Sequence, residues 1–265
     1  MVRLLHGAAS GFLVLFLMGT GVSQEPPAET PPPRKPAPIK GLFPGIEIDL
    51  ERKQLTMKGS IAIPRGLIEL FACTPYGKTH EAVCAVEVQP EHLKAALLLL
   101  GLKAKPQVNH LGERKALEGD RVKIWVVWEQ DGMKKRYRAE KLIWDRSTNK
   151  PMENVGWVFT GSRFLKVPIY VADQEEPEER EVFMATEKGS LVTTYHDPDS
   201  ILDNPLEMGG DDTVYYANDR LLPPRGTPIQ FIIQAEKAAQ KGSDPVNDDA
   251  KKSAPPPKKG EEGKK

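Results

Sequence analysis

The segment FACTPYGKTHEAVCAV (residues 71–86) places Cys73, His80 and Glu81 within nine positions, and Cys84 follows three positions beyond. Three chemistries are open to it. In the first, Cys73 and His80 form a thiolate–imidazolium pair, with Glu69 or Glu81 steadying the ring. The thiolate is the reactive form of cysteine, and an adjacent imidazolium lowers the thiol pKa. In the second, Cys73, His80 and Cys84 bind zinc with His92 or His110 as fourth ligand, although the C-x6-H-x3-C spacing matches no common structural zinc module. In the third, both cysteines are small buried hydrophobes, and His80 and Glu81 hold a turn by hydrogen bonds. The strong tendency of unpaired cysteine to be buried favours the third. A ligand, if one binds, is expected at Lys78, Thr79, His80 and Glu81. These offer a cation, a hydroxyl, an imidazole and a carboxylate beside Gly77, where a backbone can approach closely.

The turn residues Pro75 and Gly77 lie between two strand-like runs, which predicts an antiparallel hairpin centred between Tyr76 and Gly77. Cys73 then faces His80, Phe71 faces Ala82 and Glu69 faces Cys84. The two cysteines would be four residues apart along the strands, roughly 13 Å at the usual rise. A disulfide needs Cα atoms within about 7 Å, so no Cys73–Cys84 bridge is expected.

Other constellations are weaker. Asp197, Asp199 and Asp203, with Asp211 and Asp212 downstream, are oxygen-rich but lack the spacing and final glutamate of an EF-hand. Caps and turn acids explain them. Trp125, Trp128, Trp144 and Trp157, with Tyr137 and Tyr170, are the material of a sugar-stacking platform, but aromatics on strands mostly build cores. The basic run KKRYR (134–138) is split by alternation between two faces and reads as a solvated strand. No Ser-His-Asp order, phosphate loop, dinucleotide fingerprint or metalloprotease helix is present.

The elements that must position these residues alternate at period two. IEIDL (46–50), QLTMKGSIAI (54–63, with an irregularity expected at Gly59), GLIELFAC (66–73) and THEAVCAVEV (79–88) read as strands. PEHLKAALLLLGL breaks the pattern: Pro90 suits a first helical turn, Gly101 suits the end, and the apolar run between predicts a well-buried helix. Asp131-Gly132 marks a hairpin between strand-like runs. GWVFTGS, RFLKVPIYVA, REVFMAT and SLVTTYH continue as short strands, interrupted by an exposed acidic loop at 175–181. DPDSILDNP is expected to hold a helical turn capped by Asp197. DTVYYAN and TPIQFIIQA close the domain. The fold class is α+β: mostly antiparallel strands, one well-buried helix, a single domain.

The flanks read differently. Residues 1–23 carry Arg3, an apolar stretch from Phe12 to Met18 and the small residues Gly21-Val22-Ser23, the pattern of a secretory signal peptide. Residues 24–40 form a Pro-rich linker, residues 41–236 the folded domain, and residues 237–265 a disordered charged tail. Lys+Arg and Asp+Glu both number 37, a balance that argues against nucleic acid as the main partner. After the signal, LKAALLLLGL is the most apolar stretch and has about half the ~20 residues a membrane span requires.

The run KGSIAIPRGLIELFACTPYGKTHEAV, then PEHLKAALLLLGL, WVFTGS, DPDSILDNPL and PPRGTPIQFII, resembles the YdjY domain family of bacterial secreted or periplasmic proteins, over residues 55 to 234. The resemblance implies an exported, envelope-associated domain without an established activity. Some relatives carry a ferredoxin-like label. A cubane iron–sulphur cluster generally needs four thiolates, and Cys73 and Cys84 are the only cysteines here, so that redox role is not carried over. The expectation is an exported, non-catalytic binding or interaction module of the cell envelope, with an envelope protein or a glycan as partner. A thiol- or metal-dependent enzyme centred on Cys73 and His80 is the alternative.

Overall fold

The computed structural model describes residues 38–170 and 177–236. The segments expected as a signal peptide and a charged tail, most of the expected Pro-rich linker and part of the expected acidic loop lie outside the described residues. The chain begins with β1 (Ile39–Phe43), β2 (Ile46–Asp49), β3 (Gln54–Ile61), β4 (Gly66–Leu67), β5 (Leu70–Cys73) and β6 (Ala82–Val86). Helix α1 (Pro90–Leu99) follows, then β7 (Arg121–Gln130), β8 (Met133–Arg138), a 3-10 turn (Ala139–Leu142), β9 (Ile143–Asp145) and β10 (Lys150–Pro151). β11 (Trp157–Phe159), β12 (Phe164–Ile169), β13 (Glu178–Phe183), the short α2 (Met184–Lys188) and β14 (Ser190–Thr193) come next. β15 (Leu202–Asp203), a second 3-10 turn (Glu207–Gly210), β16 (Tyr215–Ala217) and β17 (Pro228–Ala235) complete it.

Eight strands close into a barrel in the order β3-β17-β7-β11-β15-β14-β5-β6, with β6 returning to β3. Closure removes the exposed sheet edges that an open sheet of these strands would leave. One edge of β3 is divided between two partners. Residues 54–57 pair with β2, whereas Gly59, Ser60 and Ile61 pair with Val86, Ala85 and Cys84 of β6. Gly59 sits at the changeover, where an added Cβ would lie 2.4 Å from the Ala85 carbonyl oxygen. The irregularity expected there is this close approach of two backbones.

Alternation fills the interior. Leu55, Met57 and Ile61 of β3, Val122, Ile124 and Val126 of β7, and Ile229, Phe231 and Ile233 of β17 are buried. Register aligns them: Phe231 is opposite Met57 and Val126, and Ile233 is opposite Leu55 and Ile124. Phe71 stacks on Trp157 at 5.8 Å and meets Phe231 at 6.1 Å. Each such buried ring contributes up to about 3 kcal/mol. β1 and β2 extend the sheet from β3, and β8 pairs with β7. A smaller sheet, β10-β9-β16-β4, and the ribbon β12–β13 complete the described strands, and one apolar cluster draws residues from barrel, helices and small sheet alike.

The mostly antiparallel α+β class holds, with β5–β6 and β14–β15 as the parallel pairs among the described strands. Four local expectations are corrected. GLIELFAC is two strands in different sheets, β4 and β5. α1 starts at Pro90 as expected but is buried on one side only: Leu98 and Leu99 are 49 % and 45 % exposed. REVFMAT turns from β13 into α2. DPDSILDNP holds no helix, because the Asp197 carboxylate accepts the Asp199 N–H at 2.9 Å and closes a turn instead. Among the described residues, no helix is long and apolar enough to cross a membrane.

Candidate functional site

The segment around Cys73 is not a hairpin. β5 and β6 run parallel, with Leu70 opposite Ala82, Ala72 opposite Cys84 and Cys73 opposite Ala85. The antiparallel places are taken by β14 beside β5 and β3 beside β6. Parallel neighbours usually need a crossover of a dozen residues or more. Here β5 has only four residues, and the stretch 74–81 can span their length in the extended limit. Its course is bent by successive turns, Gly77 N–H to the Thr74 carbonyl (3.0 Å), Thr79 N–H to Gly77 (2.8 Å) and Glu81 N–H to Lys78 (3.2 Å). Gly77 serves packing rather than ligand approach: a Cβ there would be 3.0 Å from the Gly189 carbonyl oxygen and 3.2 Å from Cys73 Cβ.

The register decides the fate of the candidate catalytic residues. Cys84 shares a face with Ala72, so Cys73, one residue on, projects to the opposite face. Both cysteines are free and fully buried. The absence of a bridge was expected, but the reason is opposed faces rather than separation along a hairpin. Burial, and then the charge of Glu81, pushes the Cys73 thiol up to about 12, and burial raises Cys84 likewise. The His80 side chain is 79 % exposed, and its Nε2 is 4.0 Å from Glu81 Oε2. The thiol–imidazole pair is therefore not assembled. The zinc set does not gather either: His92 stacks on Phe43 at 5.6 Å, and His110 is an exposed loop residue whose Nδ1 is 3.2 Å from the Leu111 carbonyl oxygen. Among the described residues, no three His, Cys, Asp or Glu side chains are grouped for a metal ion. We expect iodoacetamide to leave Cys73 and Cys84 unmodified in the native protein at neutral pH and to alkylate both after unfolding, read by intact mass.

What the fold does bring together is Lys78 with acids. Its Nζ lies 3.4 Å from Glu69 Oε2 and 2.5 Å from Glu81 Oε1. The backbone fixes this. The Glu69 and Leu70 N–H groups both donate to the Glu81 carbonyl at 3.1 Å, while the Glu69 carbonyl accepts from Thr194 N–H (2.8 Å), Tyr195 N–H (3.0 Å) and Thr193 Oγ1 (2.9 Å). Glu69, Lys78, Ser190, Thr193, Tyr195 and Asp197 line a shallow cleft with Leu70 and Leu111, whose free volume of about 10 Å³ is the room of a single water. Burial, and then the Glu81 charge, raises the Glu69 pKa against the pull of Lys78. Burial draws the Lys78 ammonium down, but its hydrogen bond to Glu81 and the two carboxylate charges outweigh that and hold it up. Burial also raises Asp197, partly offset by the Asp199 N–H and by Lys188. Of the expected ligand residues, Lys78 lines the cleft and Glu81 reaches it through Lys78, whereas Thr79 and His80 do not line it.

The cleft wall rests on a residue the sequence did not single out. His196 is fully buried, with Nδ1 2.7 Å from the Glu113 carbonyl oxygen and Nε2 2.9 Å from that of Asn204. It ties the loop carrying Leu111 to the strand end at Asp203, and Gly209 packs so closely that a Cβ would be 2.3 Å from Nε2. Asp197, Asp199 and Asp203 lie together, the Asp197 carboxylate accepting the Asp199 N–H at 2.9 Å and that of Asp203 the Asp197 N–H at 3.3 Å, but their carboxylates are committed separately. Asp199 is held by Arg163 at 2.6 Å and by Lys188, Asp211 by Arg114 at 3.3 Å, and Asp203 is fully buried. The aromatics are largely occupied: Arg136 lies 4.3 Å over Trp125, Arg220 4.7 Å over Trp144, and Trp128 stacks on Tyr137 at 5.3 Å.

Fold and cleft define a class: a closed eight-stranded barrel domain whose thiols are internal and whose ionic groups are displayed at a small cleft. Within that class, the YdjY domain model matches residues 46–234, and the chain belongs to the YdjY domain family. The matched span contains every cleft residue and nearly all of every barrel strand. No curated protein and no solved structure matches the chain.

Proposed function

We propose that the chain is an exported, non-catalytic binding module of the cell envelope, engaging its partner through the cleft around Lys78. The observation that carries this reading is the division of polar chemistry. The thiols are shut in the core, while Lys78, Glu69 and Asp197 stand beside the side chains of Thr193, Ser190 and Tyr195 at an opening. An ammonium flanked by carboxylates, with Tyr195 beside it, provides donors and acceptors for a polyhydroxylated glycan or for polar side chains of an envelope protein, while the buried Thr193 and Ser190 form the floor. The secretory pattern of residues 1–23 and the Pro-rich segment behind it support export and tethering.

The test is a titration of the ¹⁵N-labelled protein with soluble peptidoglycan fragments and a panel of wall polysaccharides. Binding is expected to shift the amides of Lys78, Thr193, Tyr195 and Asp197. Lys78→Ala should weaken it at least ~10-fold, the loss of about 1.4 kcal/mol that follows from removing one charge-assisted contact. Shifts confined to another face, or turnover of any probe, would overturn the proposal.

A further inference from the structure

Two strands that the cleft does not use carry opposite charge, and each has an edge with no strand paired to it among the described residues. β8 pairs only with β7 among the described strands. Asp131 and Gly132 both have positive φ (52° and 70°), forming a two-residue hairpin turn of the primed type. In such a hairpin the flanking pair Gln130–Met133 is hydrogen-bonded, so the N–H and C=O groups of Lys134 and Arg136 point away from β7. That edge presents Lys134, Lys135 and Arg136, with no acid on the strand. β13 likewise pairs only with β12 among the described strands. It carries Glu178, Glu179 and Glu181 against Arg180, all four exposed, and Lys166 of β12, opposite Glu181, pairs with Glu179 at 3.3 Å, so acids still outnumber bases on the ribbon. On the other side of this ribbon β12 holds Pro168, a residue that cannot donate to an added strand, so β13 is the better edge for pairing.

We infer that copies of this chain associate head to tail, β8 of one adding to β13 of the next. Lysine-rich edges ordinarily repel further strands. The same rule excludes β8–β8 and β13–β13 pairing, which would set like charges directly opposite one another. The pairing left joins a basic edge to an acidic one, with main-chain hydrogen bonds supplying affinity and charge supplying register. Because the two surfaces differ, the contact does not close on itself in a dimer and extends as an open chain. The six-residue strands make a contact smaller than a standard interface, so association is weak and salt-sensitive.

Sedimentation velocity of the purified chain tests this. At low ionic strength the weight-average mass should rise with concentration, and the apparent Kd should weaken at least ~10-fold on going to ~0.5 M salt. Lys134→Gln/Arg136→Gln and Glu179→Gln/Glu181→Gln change exposed side chains; loss of the Arg136–Trp125 and Lys166–Glu179 contacts should lower the melting temperature slightly, and each variant should remain folded. Each should be monomeric alone, and a 1:1 mixture should give a heterodimer and nothing larger, since one intact edge of each kind remains. A wild-type chain that stays monomeric at low salt would overturn the inference. So would variants that associate as the wild type does, or a mixture that stays monomeric. The cleft residues are untouched by these substitutions, so failure here leaves the glycan titration to be judged separately.

Discussion

Gly59→Val is expected to open the barrel at its seam, at a cost of about 3 kcal/mol, the upper part of the usual range for overpacking. An added Cβ would meet the Ala85 carbonyl oxygen at 2.4 Å and the Val86 Cα at 3.2 Å. Both are main-chain atoms, so no side chain can swing aside. The β3–β6 pairing consists of three residue pairs, and Gly59–Val86 is the first of them. The β2–β3 pairing ends at Met57 and β17 pairs along the opposite edge, so neither need shift. Hydrogen exchange distinguishes this from general destabilisation. Amides at the β3–β6 seam should lose protection at denaturant concentrations where the β3–β17 ladder keeps it. Uniform loss across the sheet would refute the localisation.

The second large effect concerns a buried ion pair. Arg138 grips Glu140 with two nitrogens, Nη2 to Oε1 at 2.6 Å and Nε to Oε2 at 3.1 Å. The Glu140 side chain is fully buried, and its Oε1 also accepts the Gly156 N–H at 2.9 Å, just before β11. Arg138→Met removes the cation and strands the carboxylate in the core. The expected loss is about 3–5 kcal/mol, a large share of a typical domain's stability of roughly 5–15 kcal/mol. Adding Glu140→Gln removes the buried charge but keeps an oxygen for Gly156, so the double variant should recover most of the loss. Urea unfolding of the two variants measures the difference. A double variant no more stable than Arg138→Met would show that the cost lies in the packing of Arg138, whose guanidinium also lies 5.4 Å from the Trp125 ring centre.

Local features were legible in the residue pattern. Asp131-Gly132 gave its hairpin with Gln130 opposite Met133, and Pro90 opened its helix. The alternation in β3 and β17 marked both as strands, because a strand buried on one face must alternate. The parallel course of β5 and β6 was not legible. Both strands are buried throughout, so their composition carries no sign of direction. A Pro and a Gly between two apolar runs point to a hairpin, and only the partners β3 and β14, distant in sequence, dictate otherwise. The cleft was hidden for a related reason. Lys78 and Glu81 were singled out by their turn, but Leu111, Ser190, Thr193 and Asp197 reach them from segments up to more than a hundred residues away. α1 was misread because its run of leucines looks apolar all round, yet the last turn has nothing packed over Leu98 and Leu99 sufficient to bury them.

The position of β17 bears on how the chain is made. It is the last of the described strands, yet it sits between β3 and β7 and is hydrogen-bonded to both. A ribosome that has delivered everything up to residue 227 has therefore produced two long apolar strands with no third to bridge them. The wall of the cylinder can be completed only when the C-terminal keystone emerges. A domain wired this way cannot complete its barrel until Pro228–Ala235 are seated between strands laid down long before, and contacts so distant in sequence favour slow folding.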